Sequence, residues 1–161
     1  MEATIPPSRS PEDDDLVRLC AALNAEEARY LVVGGMAMNQ HGMLRATADI
    51  DLLLEDSREN QRRVLKALEI LPDKAVREVE ENDLDDYTVV RVADEIVVDL
   101  MLAACGVTYQ DGANEIEVIE VHGVAIPFAS AKLLLRTKRT YRDKDIADRI
   151  FLEEKLRREN K

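Results

Sequence analysis

The chain has 161 residues, 46% of them hydrophobic but only 4% aromatic, and a formal net charge of −11. That length makes one domain, able to fold without disulfides around a core that must be aliphatic. The acidity argues against a general duplex-DNA binder, which needs a broad cationic surface, and the scarcity of aromatics argues against a stacking platform for single strands.

Residues 1–9, rich in Pro and Ser, predict a disordered lead-in to a single domain over 10–161. The opening is polar and acidic, unlike a signal peptide, and no apolar run approaches the roughly 20 residues of a membrane span. A cytoplasmic protein with no membrane partner is the expectation. Ser10-Pro11 reads as an N-cap and first helical position, and Leu16, Leu19, Cys20 and Leu23 carry helical spacing to about Asn24. Tyr30-Leu31-Val32-Val33 reads as a buried strand running into the Gly34-Gly35 turn, followed by a short helix from Met36 to His41. Asp49 to Glu55 predicts a second strand with acids at its start. Ser57 caps an amphipathic helix through Leu71, just before Pro72.

An acidic, solvent-facing connection with Glu78, Glu80, Glu81, Asp83, Asp85 and Asp86 comes next. Tyr87 to Val92 and Ile96 to Leu102 read as a hairpin about Ala93-Asp94-Glu95, and Ile116 to Val121 and Val124 to Ile126 as another about His122-Gly123. The last forty residues predict helices over 130–140 and 143–159. The fold class is therefore mixed α/β (α+β). Cys20 and Cys105 have no disulfide or metal-cluster spacing and read as core thiols; His41 reads as the exposed end of a short helix.

Three acids carry the chemistry. Asp49 and Asp51 are two apart on a strand, so both carboxylates project from one face while Ile50 enters the core. Asp99 interrupts the apolar run Ile96 to Met101, an improbable place for a decorative acid. If the two strands are neighbours, three carboxylates can surround two Mg²⁺ ions, hard cations that prefer oxygen ligands and keep room for phosphates. The side-chain-free Gly34-Gly35 turn lets phosphate oxygens approach backbone N–H groups. Each feature alone has a plain structural explanation; their order along the chain gives the signal.

That order resembles the nucleotidyltransferase superfamily that includes DNA polymerase β: a glycine turn, a gap of about a dozen residues (Met36 to Ala48 here), Asp-hydrophobic-Asp, and a third Asp on a later strand. Val32 to Ala37 together with Arg45 to Asp51 is similar to the bacterial minimal nucleotidyltransferases, including AbiEii-type toxin components. Lys138-Arg139-Thr140-Tyr141-Arg142-Asp143-Lys144-Asp145 through Asp148 is similar to that group's ending. The resemblance spans about residues 28 to 152. It departs at Gly35, where many relatives have Ser.

The resemblance implies a mixed central sheet flanked by helices with a helical C-terminus. It implies transfer of a nucleoside monophosphate from an NTP to a hydroxyl of tRNA, protein or a small molecule. Asp49, Asp51 and Asp99 would hold two Mg²⁺ ions, with Mn²⁺ as a substitute. Gly34, Gly35, Arg45, Thr47, Lys138 and Arg142 would face the nucleotide; Lys138 and Arg142, four apart, would share a face of one continuous helix. Asp145 and Asp148 are as well suited to salt bridges with Arg142 or Arg149 as to ligand roles. An antitoxin or a second copy is the expected protein partner. A Mg²⁺-dependent nuclease and a catalytically inactive nucleotide-binding module are the alternatives.

Overall fold

The computed structural model describes residues 7–160. The chain runs α1 (Asp13–Ala25), β1 (Tyr30–Val33), α2 (Gly34–Gln40), β2 (Asp49–Leu54) and α3 (Arg58–Ala67), then 3-10 turns at Leu68–Ile70 and Ala75–Glu78. It continues through α4 (Asp83–Asp86), β3 (Val90–Ala93), β4 (Val97–Met101), β5 (Ala103–Ala104), β6 (Val107–Thr108) and α5 (Tyr109–Gly112). It ends with β7 (Ile116–Val121), β8 (Val124–Ala129), α6 (Ala131–Arg136) and α7 (Asp143–Glu159).

Six strands form one mixed sheet in the order β3-β4-β2-β1-β8-β7, and β5 and β6 form a separate two-stranded ribbon. β2 lies between antiparallel β1 and parallel β4, so it is an interior strand. That position explains its tail: Leu52, Leu53 and Leu54 are all fully buried, as expected for a strand covered on both faces. The core is aliphatic apart from Tyr30 and Phe128. α1 packs on α3 and β8, α2 on β2, and α6 on α7 and β8. Among the described residues no helix is long and apolar enough to cross a membrane.

Ser57 accepts from Asn60 N and Ser130 from Leu133 N, so two helices start where their caps predict. His122 and Gly123 both take positive φ (50° and 80°), the turn that a two-residue hairpin requires. Several expectations are corrected. α1 is capped by Glu12 in a reciprocal box with Asp15, not by Ser10. Ser10 lies beside Arg9, whose guanidinium pairs with Asp15 and Glu95. Ser8 donates to Asp94 O at 2.6 Å, so the described end of the expected lead-in is attached to the β3–β4 turn; residues 1–6 lie outside the described residues.

α3 ends at Ala67 and tightens into a 3-10 turn before Pro72, and β3 begins at Val90 rather than Tyr87. β8 continues to Ala129, because Phe128 pairs with Val32 of β1 in parallel. The ribbon and α5 over 103–112 add to the expected elements: Cys105 and Gly106 turn at positive φ, and Thr108 and Asp111 form a capping box. Cys20 is buried as expected, but Cys105 is exposed, at φ 49°. His41 is buried, its Nε2 2.9 Å from Ala129 O, because the end of α2 tucks against β8.

Candidate active site

Parallel pairing of β2 with β4 sets Asp51 directly beside Asp99, and Asp49 beside Val97. Alternation does the rest: Ile50, Leu52, Val98 and Leu100 are fully buried, and the acids share the other face. Carboxylate oxygens of Asp49, Asp51 and Asp99 all lie within 4.8 Å of one another. Such crowding is costly unless a proton or cation intervenes. Burial, with the charges of Asp49 and Asp99 added, pushes the Asp51 carboxyl up to about 7, against the pull of Lys138 and Lys144. Burial and Asp99 also raise Asp49, opposed by Arg91 and Lys144.

The glycine pair is dictated by this face. Gly34 has φ +66°, and a Cβ built there would overlap Asp51 Oδ2. A Cβ on Gly35 would overlap Thr47 Cγ2. Thus the Asp51 side chain rests against Gly34, and Thr47, which is buried, fills the space over Gly35. α2 accordingly begins at Gly34 itself, two residues before the expected Met36, with Val33 as its extended N-cap. Val33 faces Asp51 across the β1–β2 ladder, which brings the turn to the acids.

The segment carrying Lys138 and Arg142 folds differently from expectation. α6 stops at Arg136 and α7 starts at Asp143, so Lys138 and Arg142 do not share a helix face; both sit in the turn between. They meet instead through acids of α7. Arg142 Nε donates to Asp145 at 2.9 Å, and Lys138 Nζ, itself buried, lies 3.1 Å from Asp148 and 3.8 Å from Asp145. Arg45, expected to face the nucleotide, grips Asp148 through both terminal nitrogens at 2.5 and 2.9 Å. Burial alone would raise the Asp148 carboxyl; Arg45 and Lys138 outweigh it and hold the group below its ordinary range. For Asp145, burial is likewise outweighed by Arg142, Thr140 and Lys138. Arg149 donates to the backbone carbonyls of Lys138 and Thr140, fixing the turn.

One residue at the acids has no counterpart in the sequence reading. Arg91, on edge strand β3, stands opposite Asp99 in the ladder. Its Nε and Nη2 donate to Asp99 Oδ1 and Oδ2, each at 2.9 Å, and Nη2 reaches Asp49 Oδ2 at 3.2 Å. The burial pattern of β3, with Val90 and Val92 in and Arg91 out, was the available signal once β3 pairs with β4.

The donors at the centre are oxygen-only and anionic, and the raised Asp51 carboxyl marks a place where a divalent cation would relieve repulsion, so the residues fit Mg²⁺ or Mn²⁺. Two clefts run along α7: one of about 320 Å³ between Arg139, Tyr141 and Arg149, one of about 610 Å³ beside His41 and Phe151. Neither includes the acids, of which Asp99 is buried and Asp49 and Asp51 are half-buried.

No family model and no curated protein matches the chain. Two solved structures are similar over most of its length. One is a Thermotoga maritima protein described as a candidate nucleotidyltransferase, with TM-score 0.53 and 19% identity, covering 89% of this chain and 88% of that one. The other is an antigenic nucleotidyltransferase-like protein from Paracoccidioides brasiliensis, with TM-score 0.50 and 20% identity, covering 91% of this chain and 78% of that one. At such identities the likeness is one of fold, a mixed sheet with flanking helices.

Proposed function

We propose that the chain transfers a nucleoside monophosphate from an NTP to an acceptor hydroxyl at Asp49, Asp51 and Asp99, with divalent cations held by those carboxylates. The observation that carries the reading is the convergence of three acids from neighbouring strands onto one face, beside a glycine turn. A nuclease reading leaves that turn without a role.

Asp49 and Asp51 would hold the cation that meets the triphosphate, and Asp99, shared with them, would complete the position nearer the acceptor. Bound there, divalent cations supply charge for the phosphates and lower the pKa of an attacking hydroxyl. Gly34 holds Asp51 against the turn, so the carboxylate and the backbone N–H groups of α2 present to the same region. Thr47 fixes the chain just before the acids. The Arg45–Asp148–Lys138 network joins the segment before β2 to α7 and keeps positive charge within range of Asp51. Phosphoryl-type transfer asks the protein mainly for positioning and electrostatics, and these contacts supply both.

Mg²⁺ together with an NTP should raise the melting temperature above that of either alone, and Asp49→Ala and Asp51→Ala should abolish the increment. A labelled NTP incubated with a cell extract should then transfer label in the wild type and not in Asp99→Asn. Equal stabilisation in both alanine variants, or transfer at the wild-type rate by Asp99→Asn, would overturn the assignment.

A further inference from the structure

We propose that Arg91 is a resident counter-cation of the carboxylate cluster, occupying the position between Asp49 and Asp99 and yielding it when divalent metal enters. The inference rests on the reading of the three acids as a metal site.

The geometry is specific. A guanidinium offers a planar fork that matches a carboxylate in two parallel hydrogen bonds, and Arg91 uses it so on Asp99, at 2.9 and 2.9 Å. The same Nη2 extends to Asp49 at 3.2 Å, so a single cation bridges two of the three acids. Asp51 lies outside the bridge. The arginine thus neutralises the Asp49–Asp99 pair, the one through which Asp99 would share a cation with Asp49.

Arg91 is also built to leave. Its side chain is 60% exposed, against 7% for Asp99, so the guanidinium can return to water without breaking a packed core. β3 is an edge strand of the sheet, and residue 91 points away from the buried Val90 and Val92. A divalent ion between Asp49 and Asp99 would stand beside the guanidinium on the same carboxylates, and the repulsion of the two like charges favours release of the exposed arginine. The sheet order adds a direction. Arg91 approaches from β3, beyond β4, while the Gly34 turn approaches from β1, on the opposite flank of β2. Competition therefore falls hardest on the cation position that includes Asp99, where Arg91 holds both oxygens, and more lightly on the position of Asp49 and Asp51, where it touches one oxygen of Asp49.

The test is calorimetric titration of the apo protein with MnCl₂, without nucleotide, in the wild type, Arg91→Ala and Arg91→Lys. Removing the competitor should tighten Mn²⁺ binding about fivefold in Arg91→Ala, the scale expected for loss of one partly exposed ion pair. Arg91→Lys, a point charge that cannot fork across two carboxylates, should fall between. In the same variants the metal-free melting temperature should drop, because the acids then repel without a counter-ion. Unchanged or weaker Mn²⁺ binding by Arg91→Ala would overturn the role of Arg91 alone. Failure of the wild type and Arg91→Ala alike to bind Mn²⁺ would overturn the metal site on which that role rests.

Discussion

At the scale of single residues, Gly34 and Asp51 are one device. The turn between β1 and α2 needs positive φ at residue 34, and the carboxylate of Asp51 lies where a side chain there would be. Two effects therefore oppose Gly34→Ala: backbone strain in the left-handed region and collision with a charged group whose place is set by strand register. Gly123 isolates the first effect, since it has φ +80° and nothing near its would-be Cβ. Gly123→Ala should lose about 1 kcal/mol in urea denaturation, and Gly34→Ala more, about 2–3 kcal/mol. Only Gly34→Ala should also weaken Mn²⁺ binding. Equal losses with intact metal binding would mean that Asp51 swings aside freely and that the glycine serves the backbone alone.

Among elements, the turn between α6 and α7 decides what Lys138 and Arg142 do. Lys138 is buried between Asp148 and Asp145, and Arg45 brings the pre-β2 segment to the same Asp148. Removing the ammonium withdraws one cation from this group, while Arg45 still pairs with Asp148 and Arg142 with Asp145, a loss of about 1.5–3 kcal/mol. Lys138→Met keeps the aliphatic stem and removes the ammonium, so apo stability should fall by about that amount. Lys132→Met, at an exposed pair with Glu115, should stay within about 0.5 kcal/mol. Normal apo stability of Lys138→Met with lost NTP binding would instead assign the ammonium to the triphosphate.

The same turn shows why the sequence was legible in some places and not in others. The strands carrying Asp49, Asp51 and Asp99 are marked by local apolar runs, and period-two alternation puts the acids on one face once the strands pair. Lys138 and Arg142 are marked only by spacing, which assumes a continuous helix; the break at residues 137–142 is held by long-range partners such as Arg149, which spacing does not reveal. Arg91 was hidden for a related reason: its meaning depends on β3 pairing with β4 in one register. His41 and Cys105 were misjudged because burial at chain turns depends on what docks there, β8 for one and open solvent for the other.

On the scale of the whole molecule, the three acids couple folding, metal and protons. The Asp51 carboxyl, at about 7 in the folded metal-free protein, lies well above its unfolded value near 3.9. A raised carboxyl contributes stability that is fully present below the unfolded value and is lost as pH rises through the folded one. Asp49 shifts in the same direction. Asp145 and Asp148 shift downward, so their contribution is complete above the ordinary carboxylate range and is lost only in acid. The buried Cys20 thiol, pushed up to about 11, titrates on the other side. A scan from about pH 5.5 to about pH 8.5 therefore spans the range of the metal face, and the difference between the wild type and Asp51→Asn removes the contribution of any other group that titrates there. Across it the apo protein should lose stability up to about pH 7 and then level off, while Mg²⁺, which needs the ionised carboxylate, should bind with affinity rising up to about tenfold per pH unit below 7 and flat above it. Calorimetry in two buffers of different ionisation enthalpy should find close to one proton released per Mg²⁺ at pH 6 and almost none at pH 8.5. Asp51→Asn, which cannot ionise, should flatten the apo stability profile and eliminate the proton release. A pH-independent Mg²⁺ affinity in the wild type would show that the carboxylates are already ionised without metal. In that case Arg91, holding Asp49 and Asp99 at 2.9–3.2 Å, would be neutralising the cluster by itself.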